Sequence, residues 1–203
     1  MKKYKGLKEE DVPADPISLF ERWYGERIAK VSVYPDAFSL ATSSPQGDIS
    51  ARIVLLKSFD SEGFVFFTNY DSRKGKTIKS NSRVAMLFYW PESGRQIRIE
   101  GNAIRTSESE SDAYFTSRPR ESRIGAWASK QSNIIKNRDY LREEFDSYSA
   151  KFNGRSIPRP NYWGGYRIIP GYFEFWQEGK HRLHDRIIFE RKDHGWKKSR
   201  LSP

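Results

Sequence analysis

The chain has no cysteine among its 203 residues, and only two methionines and three histidines. Without thiols there is no disulfide framework, no thiolate metal site and no cysteine nucleophile, and nothing points to an oxidising compartment. A cytoplasmic location is the expectation. Nowhere do 18 apolar residues run consecutively, and the basic start (Lys2, Lys3, Lys5) is not followed by an apolar stretch. Neither a membrane span nor a signal peptide is therefore expected. The chain also lacks a Gly-x-x-x-x-Gly-Lys-Ser/Thr loop and a Gly-x-Gly-x-x-Gly after a strand, so nucleotide triphosphatase and Rossmann readings have no anchor. His181, His184 and His194 come without carboxylates at metal-ligand spacing, and no metal is expected.

What is present is positive charge and aromatic surface. Lys and Arg number 36 against 26 Asp and Glu, a formal charge of +10 and a pI near 9.7. Such a chain favours anionic partners, whether nucleic acid, an acidic membrane or phosphorylated small molecules. Aromatic residues make up 15% and include six Trp, enough for a core with flat surfaces to spare for stacking on rings.

Along the chain, residues 1–13 are polar and aperiodic and read as a flexible N-terminal arm, with residues 14–203 as one domain. Asp15 before Pro16 marks a helix start, with an apolar stripe at Ile17, Phe20, Trp23 and Tyr24, ending near Lys30. Short β-rich runs follow at residues 38–42, 50–57 and 64–68, separated by turn residues. Asp71 or Ser72 caps a short helix to about Ser80, and strands resume at 84–90 and 95–104. Ser107 and Glu110 match a capping box for a helix to about Thr116, and another is expected over 137–152. Residues 117–132 between them read as a polar loop. Strands return at 163–169, 172–177, 185–191 and 196–201. The whole is mainly β with flanking helices, and so many short strands favour a closed barrel.

Three stretches could carry chemistry. If residues 182–186 are extended, Arg182, His184 and Arg186 share one face, a set of donors suited to an anion or an electron-rich ring; a solvated strand edge is the plain alternative. Arg52 to Lys57 is an apolar strand bracketed by two cations on opposite faces, which could equally just snorkel to water. Around Ser72, Arg73 and Lys74, cations stand at a helix N-terminus whose dipole opposes them, so a bound dianion explains them better than helix stability does; an exposed basic turn is the plain alternative. Tyr114, Ser117, Arg118, Arg120 and Ser122 could form a second phosphate pocket. Gln96, Gln131 and Ser132 could hydrogen-bond a heterocycle or be ordinary surface residues.

Eight segments in order, Arg52-Ile-Val-Leu-Leu-Lys57, Phe67-Thr-Asn69 with Ser72-Arg-Lys74, Arg95-Gln96, Ser117-Arg-Pro-Arg120, Gly125-Ala-Trp127 with Lys130-Gln-Ser132, Trp163-Gly-Gly165, Glu174-Phe-Trp-Gln177 and Arg182-Leu-His-Asp-Arg186, together resemble the pyridoxamine (pyridoxine) 5'-phosphate oxidase family. The resemblance implies an FMN-binding split β-barrel, homodimeric, with each flavin held between subunits. It implies oxidation of pyridoxamine 5'-phosphate or pyridoxine 5'-phosphate to pyridoxal 5'-phosphate, by hydride transfer from substrate C4' to flavin N5 and reoxidation by O2 to H2O2. Family FMN contacts fall on Arg52, Ile53, Val54, Leu55, Leu56, Lys57, Phe67, Thr68, Arg73, Lys74, Gln96, Gln131, Ser132, Trp176 and Arg186. Substrate contacts fall on Lys57, Tyr114, Arg118, Ser122, Arg182 and His184, the last two also being the catalytic candidates. The arm is short for the family, in which a tyrosine and an arginine of the arm can cover the substrate. Tyr4 stands for the first, and no arginine precedes it.

Two other readings compete. An RNA-binding module would use the same charge and aromatics, but no RRM or KH signature is present, and neither nucleic acid nor membrane is an expected partner. A split-barrel flavoprotein for another substrate, or a pyridoxal phosphate carrier without oxidase activity, would keep the fold. Retention of Arg182 and His184 argues against it.

Overall fold

The computed structural model of the chain describes residues 6–203. Tyr4 and Lys2, Lys3 and Lys5 lie outside the described residues. The first helix, α1 (Pro16–Ile28), starts as its sequence suggests: the Asp15 carboxylate accepts from the Ser18 amide, and Pro16 fills the first helical position without an N–H to leave unpaired. Its buried face is Leu19, Phe20 and Trp23.

The strands are β1 (Ala37–Ser43), β2 (Ile49–Leu55), β3 (Ser58–Asp60), β4 (Gly63–Asn69), β5 (Arg83–Trp90), β6 (Arg95–Arg105), β7 (Trp163–Gln177), β8 (Asp185–Lys192) and β9 (Gly195–Leu201). Helices α2 (Arg73–Ser80), α3 (Glu108–Ser117), α4 (Arg120–Ala128) and α5 (Arg138–Lys151) flank them. All pairings are antiparallel, in the order β2-β1-β5-β6-β7-β4-β3, with β8 added to β7 and β9 to β8. The result is a half-barrel with helices on its flanks. An aromatic core fills it, with Phe20, Phe38, Phe64, Phe66, Phe88, Trp90, Phe173, Phe175 and Phe189 essentially inaccessible to water.

Four expectations need correction. Residues 163–177 form one strand rather than two, because β6 opposes Pro170 with a register shift between Glu100 and Gly101. The bulge accommodates a proline that has no N–H to offer the ladder. A Cβ on Gly101 would stand 2.1 Å from the Ile169 carbonyl oxygen, so only glycine permits that approach. This long strand divides its free edge, pairing β4 through residues 163–168 and β8 through 172–177.

The stretch 117–132 is not a loop, since α4 runs through most of it. Its N-cap, Pro119, has no side-chain cap bond, which removes the usual start signal, and its apolar spacing reduces to Ile124 and Ala128, one turn apart and buried. Residues 182–184 are not extended: Lys180–Arg182 is a 3-10 turn, with His181 and Arg182 at φ of +56° and +63°. The single face expected for Arg182, His184 and Arg186 is therefore broken at the strand start. Lastly, the described part of the N-terminal arm is docked, because Leu7 and Val12 join the main core.

Candidate active site

The first group of expected residues comes from β2, β4, α2, α3 and α4. They line a cavity of about 530 Å³ bordered by Ile53, Val54, Leu55, Lys57, Phe67, Thr68, Lys74, Tyr114, Arg118, Ser122 and Gln131. Strand β4 runs into α2 through a turn capped by Ser72, whose hydroxyl accepts from the Gly75 amide. A Cβ at Gly75 would lie 2.2 Å from the Tyr70 carbonyl oxygen, so glycine lets the helix start this close to the strand.

Among the described residues, the cations at that turn have no acidic partner. Lys74 Nζ donates to Thr68 Oγ1 at 2.8 Å and Gln131 Oε1 at 2.7 Å. Arg52 donates to the Leu40 carbonyl, Thr42 Oγ1 and Ser50 Oγ. Among the described residues, neither these two nor Arg73 forms an ion pair, unlike Arg95, Arg98, Arg159 or Arg167. Burial, with Arg52 nearby, pulls the Lys74 ammonium down to about 8. Burial and then Arg73 likewise lower the Arg52 guanidinium. A nest of cations, held by neutral acceptors and a helix N-terminus, is chemically fitted to the phosphate of a nucleotide such as FMN.

Across the cavity stands an aromatic wall. Tyr114 stacks on Phe67 with centroids 3.9 Å apart and planes 17° apart, and Phe67 stacks on Trp163 at 5.6 Å and 11°. Arg118 lies over Trp163 at 4.6 Å, and its Nη1 is buried without a hydrogen-bond partner. A buried guanidinium N–H without a partner, on a cavity that Ser122 also lines, is chemically suited to an anion, apart from the Lys74 end. Lys57 also borders the cavity and pairs with Asp36 at 2.7 Å. Arg52 and Lys57 do part company: the strand ends at Leu55, Lys57 turns to the cavity, and Arg52 lies against β1.

The second group lies on β6, β7 and β8 and does not border this cavity. Gln96 pairs with Trp176 and Trp176 with Arg186, so the three form one row across neighbouring strands. His184 packs its ring 4.7 Å from Trp176. The Gly179 amide donates to His184 Nδ1 at 3.1 Å, so the neutral imidazole carries its proton on Nε2. Arg182 is exposed. Arg186 is already engaged, by Nε to Glu174 at 2.7 Å and by Nη1 to the Ser202 carbonyl. Glu174, buried between Arg186 and Arg98, is held below the usual carboxylate range: burial pushes it up, and the two arginines outweigh that.

Residues 25–151 match the family model described as pyridoxamine 5'-phosphate oxidase, and residues 163–203 match the pyridoxine 5'-phosphate oxidase C-terminal dimerisation region. The chain belongs to the pyridoxamine 5'-phosphate oxidase family. It is 51% identical over 198 residues to the pyridoxine/pyridoxamine 5'-phosphate oxidase of Rubrobacter xylanophilus, covering 98% of this chain and 91% of that one. A protein of the same name from Nostoc sp. is 48% identical over 200 residues, covering 98% and 94%. Among solved structures, PhzG from Burkholderia lata, in complex with tetrahydrophenazine-1-carboxylic acid, superposes with a TM-score of 0.92 at 35% identity, covering 99% of this chain and 98% of that chain.

Four expected residues border neither this cavity nor the second group: Arg52 donates to β1 and Arg73 is exposed at the first position of α2, while Leu56 and Ser132 are turned elsewhere. Leu56 faces the core, its amide bonded to the Asp36 carbonyl, and Ser132 is exposed at φ +70° beside Gln131. The structure adds Asn69, Gly125, Ala126, Ser129 and Trp163 to the cavity lining. Trp163 was visible in sequence only as part of a Trp-Gly-Gly run, and the α4 residues were hidden by the weak helix signal.

Proposed function

We propose that the protein is an FMN-dependent oxidase converting pyridoxamine 5'-phosphate or pyridoxine 5'-phosphate to pyridoxal 5'-phosphate. The observation that carries this is one cavity lined by Lys74, with the charge of Arg52 close enough to act on it, and separately by Arg118 and Ser122, with a stacked aromatic wall on the same cavity. One phosphate belongs to the cofactor and one to the substrate. The near-full-length likeness to proteins named for this activity supports the same choice.

FMN would be held by Arg52, Arg73, Lys74, Thr68 and Gln131, with the backbone of residues 53–57 along the cavity floor. When bound, it supplies a hydride acceptor at N5 for the substrate's C4' carbon and passes the electrons to O2, giving H2O2. The chain's own part is positioning and electrostatics. Arg118, Ser122, Tyr114 and Lys57 would bind the substrate phosphate, Arg118 finding there the acceptor its Nη1 lacks. Asp36 limits the free charge of Lys57, so that Lys57 contributes direction more than net attraction. His184, with its proton on Nε2, is set to donate to an oxygen on the substrate ring, and Arg182 would hold that ring from the same turn.

Because the second group lies away from the cavity, we infer a homodimer in which Gln96, Trp176, Arg182, His184 and Arg186 of one protomer complete the cavity of its partner. The dimerisation-region match over residues 163–203, which contains four of these five, supports that arrangement. No described helix is long and apolar enough to cross a membrane, and a cytoplasmic enzyme is the reading that goes with this substrate.

The test is the visible spectrum of the FMN-loaded protein, recorded without oxygen before and after adding pyridoxine 5'-phosphate. Bleaching of the flavin band and its return on admitting air are expected. A band unchanged while the substrate demonstrably binds would overturn the oxidase reading in favour of a carrier or a different substrate.

A further inference from the structure

Arg200 joins three stretches of chain that are far apart in sequence. From β9, its Nε and Nη2 donate to the two Glu9 oxygens at 2.5 and 3.0 Å, and Nη2 also donates to the Leu7 carbonyl at 2.6 Å. Its Nη1 donates to Asp185 Oδ1 at 2.6 Å, and the other Asp185 oxygen accepts the Leu7 amide at 3.0 Å. Asp185 is the first residue of β8 and pairs with Gln177, closing the turn that carries Arg182 and His184.

That turn has little to hold it in place by itself. His181 and Arg182 are consecutive left-handed residues bearing side chains, a conformation that persists only where the surroundings impose it. Its internal bonds are the Leu183 amide to the Lys180 carbonyl and the Gly179 amide to His184 Nδ1. Gly179 is crowded as well, since a Cβ there would lie 1.9 Å from the Leu183 carbonyl oxygen. The turn's C-terminal end is the one Asp185 anchors.

Holding the N-terminal segment does not by itself require Arg200. Lys198 already ties β9 to that segment through the Glu9 and Val12 carbonyls at 2.9 and 2.8 Å. What Arg200 adds is the link to Asp185. We propose that Arg200 is a positioning residue for the substrate-ring end of the site: by clamping Asp185 against Leu7 and Glu9, it sets the start of β8 and with it the orientation of His184 and Arg182. The consequence for turnover rests on the oxidase reading above, whereas the consequence for the His184 ring does not.

The experiment compares the FMN-loaded native protein with R200A, R200K and the near-isosteric D185N. Two readouts are taken: steady-state kinetics with pyridoxine 5'-phosphate, and nitrogen NMR of the histidine side chains, with His184 assigned by H184N. In the native protein His184 should show the Nε2-protonated tautomer. In R200A and D185N we expect mixed tautomers and a kcat lowered about tenfold, with FMN affinity within about twofold of native, as for a group displaced without losing its cofactor. R200K, which can still reach Asp185 but cannot span all three partners, should recover part of both effects. A native-like His184 signal in R200A and D185N would overturn the proposal, whatever the kinetics. If R200A does not fold, D185N alone decides. Absence of turnover in the native protein would overturn the oxidase reading instead, leaving the NMR comparison to judge the clamp.

Discussion

Lys74 Nζ donates a 2.7 Å hydrogen bond to Gln131 Oε1, linking the start of α2 to the segment that follows α4. Thr68 Oγ1 accepts from the same ammonium, so three elements converge on one charge that pairs with no carboxylate among the described residues. Burial, and then Arg52, hold this lysine at about 8, well under its ordinary value of 10.5.

The sign of the pH effect follows. A bound phosphate, doubly charged above its second pKa of about 6, favours the protonated ammonium and raises its pKa. FMN affinity should therefore be flat between pH 7 and the Lys74 value and fall above it, by up to about tenfold per pH unit. Equilibrium fluorescence titrations of the apoprotein at pH 7, 8 and 9 check this. K74M should bind FMN more weakly and lose the pH dependence over that range; a wild-type affinity that stays constant to pH 9 would contradict the assignment.

His184 and Arg182 act at the substrate ring in the proposed function, away from the phosphate nest. H184A and R182A should therefore lower kcat while FMN stays bound, by about fivefold for loss of one hydrogen bond worth about 1 kcal/mol and somewhat more for the charged group. Stopped-flow reduction of the flavin under anaerobic conditions isolates this step from reoxidation. Native kinetics in both variants would remove them from the catalytic set.

How far these features could be read from sequence depended on whether the signal was local. Asp15 with Pro16, Ser72 and Ser107 are capping signals contained within a few residues, and each begins a helix where expected. The aromatic wall is different: Phe67, Tyr114 and Trp163 come from three elements distant in sequence, and only the pairing of β4 with β7 brings Phe67 to Trp163. The Glu174 bridge between Arg98 and Arg186 is hidden for the same reason. For α4 the cause was chemical, since a helix that begins after an uncapped Pro119 and contains Gly125 carries almost no local signal. The turn at residues 180–182 departed from its period-2 reading because two residues adopt positive φ without being glycine or asparagine, which no propensity would favour.

Gly75 offers a test of how the phosphate nest is built. Alanine is the better helix former, so in an isolated helix G75A would stabilise by up to about 1 kcal/mol. Here the added methyl would lie 2.2 Å from the Tyr70 carbonyl oxygen, a backbone atom that cannot swing aside. The start of α2 must move off β4, carrying Arg73 and Lys74 with it. G75A should lower the midpoint of thermal unfolding, with a cost of about 2 kcal/mol or more, and weaken FMN binding further than the stability loss alone explains. Calorimetry of the apoprotein together with FMN titration checks both; a stabilised variant with native affinity would mean the helix start is not constrained as described.

Arg118 provides the clearest separation of the two proposed anion sites. It is half-buried over Trp163, with Nη1 lacking a partner, and burial lowers its guanidinium against the opposing influence of Tyr114. Arginine stays charged at neutral pH all the same, so the desolvation it suffers in the free protein is relieved when an anion enters. A charge-assisted hydrogen bond of this kind contributes about 1.5 to 3 kcal/mol, which predicts that R118A binds pyridoxine 5'-phosphate roughly tenfold to a hundredfold more weakly. FMN affinity should remain native, because Lys74 and Arg52 are untouched. The dephosphorylated substrate, pyridoxine, should bind R118A and the native protein equally, since the group that Arg118 is proposed to recognise is missing from it. Calorimetric titration with each ligand separates these outcomes: equal loss for both would show that R118A disturbs the aromatic wall rather than a phosphate contact, and no loss for either would remove Arg118 from the site.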